Sequence, residues 1–600
     1  MPQLTEIITA HRRGTRTIAE TIAASYARLR EHGDEAIFIS LKPEAEALAE
    51  AIRLQDEGPC ERPLWGVPVA VKDNIDVAGL PTTAACPAFA YEPQRDATAV
   101  ARLRAAGAIV IGKTNLDQFA TGLNGTRSPY GVPRNALRPD LVPGGSSSGS
   151  ACAVAAGIVP IALGTDTAGS GRVPAALQNL VGLKPSLGLV STAGVVPACR
   201  TLDCVSVFAL TVEDAWLALE AIAGPDAQDP FSRMMPTGRL GAAPPHLRIG
   251  VPRPEDRDFA GDAYAAQSFA GAIERVRALG GDVVTLDMTP FHEVARLLYD
   301  GPWVAERWLA IRELLERDPE AILPVTRQVI AGKPLPGAAD AFAARYRLAE
   351  LAVIAKAALQ GLDALMVPSV PRAASFAEMA ADPIGANSML GRYTNFVNLL
   401  DLCALAVPAT LAADGQASGV TFIAPAGRDA ALAGIGRVFH AASGLSLGAT
   451  GEPQPPLAQL PAKAPDGMIE IAVVGAHLSG MPLNGELTGL GGVFVRAVTT
   501  TADYRLFALP GSSPTRPGLL RVHEGDGASI SVEIWALPVE GFGRFVAGIP
   551  SPLGVTTLAL ADGTRSKGFI VEAAAVAEAR DVTHHGGWRA YCASLRSSAA

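Results

Sequence analysis

The chain has 600 residues, 49% of them hydrophobic and 18% charged, which is more than one hydrophobic core organises and excludes a disordered or fibrous polymer. Its 59 acidic residues against 50 basic ones give a net charge of -9 with no Lys/Arg-rich run, so nucleic acid has no electrostatic footprint here. Seven scattered cysteines without a CxxC pair and the lack of a secretory n- or h-region point to a reducing cytoplasm, and the most apolar stretch, 151–163, falls short of the roughly 20 residues of a membrane span.

Taken in chain order, the first 55 residues carry helical apolar spacing in TIAETIAASYARLREH and PEAEALAEAIRLQ, unbroken by Pro or Gly, which predicts two amphipathic helices. From Leu64, short β-branched runs such as VPVAVKD and GAIVIGKTN alternate with Ala-rich segments such as DATAVARLRAAG, the texture of an α/β domain. A second block opens at LRIGVP and passes through a helix to GGDVVTLDM and a long helical region, 290–360. It ends in DALMVPSVP and ALAVPATL, both read as buried strands closing the same sheet. The run GATGEPQPPLAQLPAKAPDG is dense in Pro and Gly and predicts a linker. The expected units are residues 1–447 with N-terminal helices over 1–55, a linker over 448–466, and a β-rich α+β domain over 467–600. The last is built on IEIAVVGAHL, GVFVRAVTTT, YRLFALP, ISVEIWALP and SKGFIVEA.

Three segments carry chemistry. PGGSSSGSA, 143–151, and GTDTAGSGRVPA, 164–175, pack small residues beside predicted strands, where backbone N–H groups can turn toward a ligand; either alone is equally well read as a flexible loop. In WGVPVAVKDNIDVAG, Lys72 ends an apolar run, a place where a lysine usually snorkels. Together the three resemble the amidase signature family, whose order is a strand-end Lys, a GGSS loop and a GTD-x-x-GS segment. Ser146 and Ser170 stand 24 residues apart, similar to that family's spacing. The resemblance covers roughly 60–445, with GLKPSLGLVSTAGVVP and TNFVNLLDLCALAVPA included, and implies a mixed central sheet covered by helices on both faces.

Carried over residue by residue, the resemblance implies Ser170 as nucleophile, Ser146 as a bridging serine after a cis peptide bond, and Lys72 as the base. It also implies N–H donors to an oxyanion at Thr167, Ala168, Gly169 and Ser170, with Ser147 as a supporting hydrogen-bonder. The chemistry is coherent, since a serine hydroxyl needs a proton acceptor in reach and a lysine accepts only when an apolar pocket favours its neutral form. Ser148 departs from the glycine often found in the family loop. A Ser-His-Asp triad is disfavoured: only His11 and His32 precede residue 246, both on segments read as exposed helices, and no GxSxG surrounds Ser170. No HExxH or clustered ligand set occurs and His584-His585 reads as a surface pair, so neither metal nor organic cofactor is expected.

NGTRSPYG (124–131), YDGPWVAERW (299–308) and TAGSGRVPA look like the allophanate hydrolase branch of that family. The likeness implies that Gly122, Tyr299 and Arg307 bind substrate, with Tyr299 and Arg307 two turns apart near one helical face and Arg307 clamping the carboxylate of allophanate. The plainer alternatives are a solvated Arg307 paired with Glu306 or Glu313 and a core Tyr299; Gly122 and Gly125 would let backbone approach a small substrate. The implied reaction is attack by Ser170 on the terminal amide, release of ammonia and hydrolysis of the acyl-enzyme, giving ammonia and carbon dioxide. Through AVVGAHLSGMPLN and DGTRSKGFIVEA, the C-terminal block resembles the accessory domain of longer members, itself similar to gamma-glutamyl cyclotransferase-like folds. There His477 is either a catalytic residue that helps decarboxylate the first product or a satisfied turn histidine. The resemblance further implies a homodimer and a link to a urea carboxylase or a cyanuric acid or biuret pathway. Competing readings are an amidase of other specificity and the amidase component of a tRNA transamidation complex, against which the acidic charge argues.

Overall fold

The computed structural model describes residues 3–460, 462–511 and 515–597; Pro461 of the expected linker, and 512–514 and 598–600 of the expected C-terminal domain, lie outside the described residues. The larger part is organised by an 11-stranded sheet. Its strands are β1 (Phe38–Leu41), β2 (Pro68–Lys72), β3 (Ile109–Thr114), β4 (Ile161–Asp166), β5 (Val181–Lys184), β6 (Cys204–Ala209), β7 (Arg248–Pro252), β8 (Asp282–Leu286), β9 (Ala364–Pro368), β10 (Leu402–Leu411) and β11 (Ala417–Pro425). Their spatial order is β1-β3-β2-β4-β6-β5-β10-β11-β9-β7-β8. Strands β3, β2 and β4 run parallel, as do β9, β7 and β8, while the pairs between these groups are antiparallel.

Both faces of this sheet are buried, and the period-2 alternation of a strand decides which side chain goes where. Along β2, Val69 and Val71 join a cluster with Leu103 and Trp216, whereas Ala70 between them joins another with Ile22 and Tyr26. Helices Thr98–Ala105 and Val212–Ile222 cover the first face; Ile18–His32 and Ser148–Ala155 cover the second. The helix Ile18–His32 is framed by its sequence: Thr17 Oγ1 accepts the Glu20 N–H, the Glu20 carboxylate accepts the Thr17 N–H, and Gly33 ends it at φ 68°.

The N-terminal region differs from the two helices expected of it. It holds Leu4–Arg12, Ile18–His32 and Glu44–Glu57, and between the last two β1 pairs antiparallel with β3 at the sheet edge. A strand of four residues is too short to show a period, so only its pairing identifies it. DALMVPSVP and ALAVPATL lie in β9 and β10 of the same sheet, but in its interior; β8 forms the edge.

The C-terminal part has strands β12 (Met468–Val473), β13 (Val493–Thr499), β14 (Tyr504–Leu509), β15 (Arg516–Arg521), β16 (Ser531–Pro538), β17 (Leu553–Ala559), β18 (Arg565–Val571) and β19 (Arg580–Asp581). They form a five-stranded sheet, β13-β16-β12-β18-β17, and a three-stranded one, β15-β14-β19. This part meets the larger one where Ala242 packs on its core and the His246 N–H donates to Ser479 Oγ at 3.3 Å. No helix among the described residues is long and apolar enough to cross a membrane.

Candidate active site

Because β2 and β4 are adjacent and parallel, their C-terminal residues, Lys72 and Thr165-Asp166, arrive at the same end of the sheet. Lys72 is completely buried, with Nζ 2.8 Å from Ser146 Oγ and 2.8 Å from Thr165 Oγ1. Burial pushes its pKa down to about 7, Arg307 adds to that, and Asp117, Asp203 and Asp166 pull the other way. A substantial fraction of the amine is therefore neutral at pH 7.

Ser146 follows a cis peptide bond from Gly145. The loop has no room for other residues: a Cβ on Gly145 would stand 2.1 Å from Asp117 Oδ2, and Gly144, at φ 82°, would meet Pro174 Cα at 2.6 Å. The Ser146 carbonyl accepts the Asp117 N–H at 3.0 Å, and Ser147 Oγ donates to the Thr165 carbonyl at 3.2 Å. Ser148 begins the helix Ser148–Ala155 with its hydroxyl buried and unpartnered among the described residues, and Ser150 Oγ bonds the Leu163 carbonyl at 2.9 Å.

Ser170 sits in the loop after β4, only 2% exposed, and is fixed from both sides. The N–H groups of Gly169 and Gly171 donate to the two carboxylate oxygens of Asp166 at 2.9 and 3.0 Å, and Arg172 grips the same carboxylate with Nε at 2.9 Å and Nη2 at 2.8 Å. Burial would raise the Asp166 pKa, but Arg172 outweighs it and holds the carboxyl below its ordinary value. Gly169, at φ 133°, leaves no space for a side chain, whose Cβ would lie 2.4 Å from Thr394 Oγ1. The Gly169 N–H is thus already engaged; those of Thr167, Ala168 and Ser170 meet no side chain or loop carbonyl among the described residues. Lys72 and Ser146 are in contact, while Ser170 Oγ hydrogen-bonds neither. Thr167 Oγ1 donates to Asp203, a buried carboxyl that also accepts the Ala198 N–H at 2.8 Å and whose pKa burial raises to about 6.

Arg307 is not a solvated helix-face residue. It is 2% exposed, donates to Thr121 Oγ1 at 3.0 Å and to Tyr299 Oη at 3.4 Å, and lies over the Tyr299 ring at 5.3 Å. Glu306 bonds Thr201 instead. Tyr299 and Arg307 do not share a helix: Thr289–Asp300 ends at Gly301-Pro302, Val304–Ala310 begins anew, and the two side chains meet across that break. A Cβ on Gly122 would strike Asp117 Oδ2 at 2.5 Å, and one on Gly125 would meet the Gly144 carbonyl at 2.7 Å, so these glycines bring loops together behind the site.

His477 stands apart from this group, after β12. Its Nε2 is 2.8 Å from Glu486 Oε2, its ring stacks on Phe569 and meets Phe545 edge-on, and it lines a cavity of about 620 Å³ with Arg516, Arg544 and Gly475. Burial lowers its pKa, against the pull of Glu486. His11, read as exposed, is buried between the Trp65 carbonyl at 3.0 Å and Thr21 Oγ1 at 2.7 Å. His584 and His585 pair ring to ring at 4.1 Å in the last part of the chain. Among the described residues no group of three or more His, Cys, Asp or Glu is placed to hold a metal ion.

Sequence reasoning missed Thr165, Asp117, Asp203, Thr121 and the Asp166–Arg172 pair. Asp166 and Arg172 were visible inside GTDTAGSGR. Nothing local marked Asp117, which accepts the N–H groups of Asn124, Gly125 and Arg127 at 3.3, 3.0 and 2.9 Å and so shapes the loop around the serines.

Comparison with known proteins is consistent along the chain. Residues 20–433 match the Amidase family and residues 469–593 match the Allophanate hydrolase C-terminal domain. A urea amidolyase of Lachancea kluyveri is 43% identical over 94% of this chain, which spans 32% of that relative's length. One component of the glutamyl-tRNA(Gln) amidotransferase of Thermus thermophilus is 36% identical over 68% of this chain and 89% of its own. A solved structure of Kluyveromyces lactis allophanate hydrolase superposes with a TM-score of 0.79 at 39% identity, covering 99% of both chains.

Proposed function

The chain belongs to the amidase family, and on that premise we propose that it is an allophanate hydrolase, an amidohydrolase that converts a carboxylated urea to ammonia and carbon dioxide. Substrate closes the hydrogen bond from Ser170 to Ser146, as catalytic contacts often tighten only in the complex. Ser170 attacks the terminal amide carbonyl, its proton passes to Ser146, and the Ser146 proton passes to neutral Lys72 across their 2.8 Å contact. The free N–H groups of Thr167, Ala168 and Ser170 hold the oxyanion. The proton goes on to the leaving nitrogen, ammonia departs, and water deprotonated by the same relay hydrolyses the acyl-enzyme. The product bears two carboxylates on one nitrogen.

The observation that carries the substrate assignment is Arg307, buried beside the relay with no carboxylate partner among the described residues. A guanidinium so placed calls for an anion in the substrate. The amidotransferase reading is weaker because residues 469–593, which match the allophanate hydrolase C-terminal domain, have no part in it. His477 is assigned the second step: as imidazolium it protonates the nitrogen of the dicarboxylate, carbon dioxide leaves, and the carbamate that remains decomposes to a second ammonia and carbon dioxide.

The chain is assigned to the cytoplasm, a reading supported by the scatter of its seven cysteines, none in a CxxC pair. Its substrate would come from a urea carboxylase or from cyanuric acid or biuret degradation. A homodimer is supported by the helix Ala338–Leu359, whose outer face shows Phe342, Tyr346, Val353 and Ile354, each more than half exposed. Val353→Arg should give a monomer by light scattering; a dimer that survives it lies elsewhere.

The test of the function is ammonia release from freshly prepared allophanate, with malonamide, biuret and glutamine at equal concentration. Strong preference for allophanate, and loss of turnover by several orders of magnitude in Ser170→Ala, are expected. Preference for another amide would refute the substrate assignment.

A further inference from the structure

Four arginines are buried among the described residues, and they divide into two kinds. Arg172 is paired with Asp166 at 2.8 Å and Arg437 with Glu213 at 2.9 Å, but Arg127 and Arg307 have no carboxylate within ion-pair distance among the described residues. They are 3% and 2% exposed, and the Nε of each is buried without a partner. One residue joins them: Thr121 accepts Arg307 Nη1 on its hydroxyl at 3.0 Å and Arg127 Nη1 on its carbonyl at 2.8 Å. Arg127 Nη2 is held by the Pro383 carbonyl at 2.6 Å. The nearby carboxylate, Asp117, has its oxygens turned to backbone N–H groups, that of Arg127 included, and does not reach either guanidinium.

The segment that brings the two together is strained. Phe119 and Ala120, directly before Thr121, both have φ 51°, a left-handed conformation that non-glycine residues adopt only under constraint. The Phe119 N–H donates to the carbonyl of Ala84, itself left-handed at φ 48°, and Arg307 Nη1 faces the Ala120 carbonyl at 3.5 Å. Two neighbouring cations held out of water without a counter-ion are unfavourable unless an anion joins them.

We infer that Arg127 is a second specificity-determining residue, set behind Arg307 through Thr121, and that the pocket is built for an anion whose charge grows during reaction. The inference rests on the allophanate hydrolase reading and deepens it. Allophanate enters with one carboxylate; the oxyanion adds a second negative charge, and hydrolysis leaves a dicarboxylate. Two guanidinium groups match the later states better than the first, which is the difference that accelerates a reaction. Arg127 acts through Thr121 and Arg307 and touches no reacting atom. It is the arginine of NGTRSPYG.

The experiment compares wild type and Arg127→Gln on anionic malonamate and neutral malonamide, following kcat and KM. The variant is expected to lose about 10- to 100-fold in kcat/KM on malonamate and less than about threefold on malonamide. Equal losses on both would make Arg127 a purely structural residue and overturn the inference. Should the variant fold poorly, wild type alone still decides. Dianionic malonate should compete with allophanate at least about tenfold more tightly than monoanionic 3-hydroxypropanoate, and equal inhibition overturns the second charge. Wild type that shows no preference for malonamate over malonamide would instead refute the functional reading itself.

Discussion

The surroundings of Lys72 and of His477 solve opposite problems with opposite materials. Lys72 lies in the sheet's interior, fully buried and bonded to the hydroxyls of Ser146 and Thr165, and its loops are closed to any side chain at Gly145 and Gly169. His477 is held by two aromatic rings and by a Glu486 side chain that is 57% exposed, on the wall of a cavity of about 620 Å³. The proposed base must be neutral, and burial keeps water away from the lysine; the proposed acid must be charged, and the histidine has a carboxylate beside it and an open side. Burial lowers both pKa values, but only at Lys72 does that serve the proposed chemistry.

Removing the Lys72 amine is the most severe test of its role as the proposed base. Lys72→Met should lower kcat for the first ammonia by at least about 10⁴-fold, while circular dichroism and Tm show an intact fold. In wild type, kcat/KM for that step should rise about tenfold per pH unit below pH 7 and level above it, because the neutral amine is the competent form and its pKa is about 7. A flat profile between pH 5 and 9 sinks the assignment. Next in size is Gly145→Ala, whose Cβ would stand 2.1 Å from Asp117 Oδ2 and 2.6 Å from the Gly125 nitrogen. The Ser146 loop must then move, and a displacement of about 1 Å costs on the order of 10²-fold in turnover; full activity would show that the loop tolerates it. The second step, supplied with the dicarboxylate, should be untouched by either change.

How far the sequence reaches follows the same division. The proposed relay residues Lys72, Ser146 and Ser170 could be named from sequence because contiguous runs of small residues carry the loop geometry, and β2 with its strand-end lysine is local too. The Tyr299–Arg307 pair was half legible. Its residues were named, but Pro302 was the visible sign that one helix ends there, and the real contact crosses the break. His11 also left a sign, since it follows Leu4, Ile7 and Ile8 on one helical stripe, and all four are buried. Asp117 and Arg127 were silent because their partners are backbone groups that converge only after folding, and Thr121 because its hydroxyl meets Arg307, which is remote in the chain. The His477 cavity draws on β15 and β17, strands that showed no clear alternation, and so its shape could not be read.

A small change at Glu486 should separate the two proposed steps within one protein. Glu486→Gln removes the anion that favours the charged form of His477, so the histidine pKa, already lowered by burial, should fall further. Less imidazolium is then present at any given pH, and the second ammonia should appear a few-fold more slowly, approaching about tenfold if the pKa drops by about one, with the first ammonia unchanged. Since Glu486 is more than half exposed, the pair contributes only about 0.2–1 kcal/mol to stability, and Tm at pH 7.5 should move by no more than a few degrees. The sign on the acid side follows from linkage. A histidine whose folded pKa lies below its unfolded value binds fewer protons folded than unfolded, so stability falls as pH drops through the unfolded value of about 6.5. Without Glu486 that fall should be steeper, visible as a larger Tm difference between variant and wild type at pH 5.5 than at 7.5. Following the two ammonia equivalents in time decides the matter: if both slow equally, His477 is coupled to the serine relay and the two regions are not separate chemical sites.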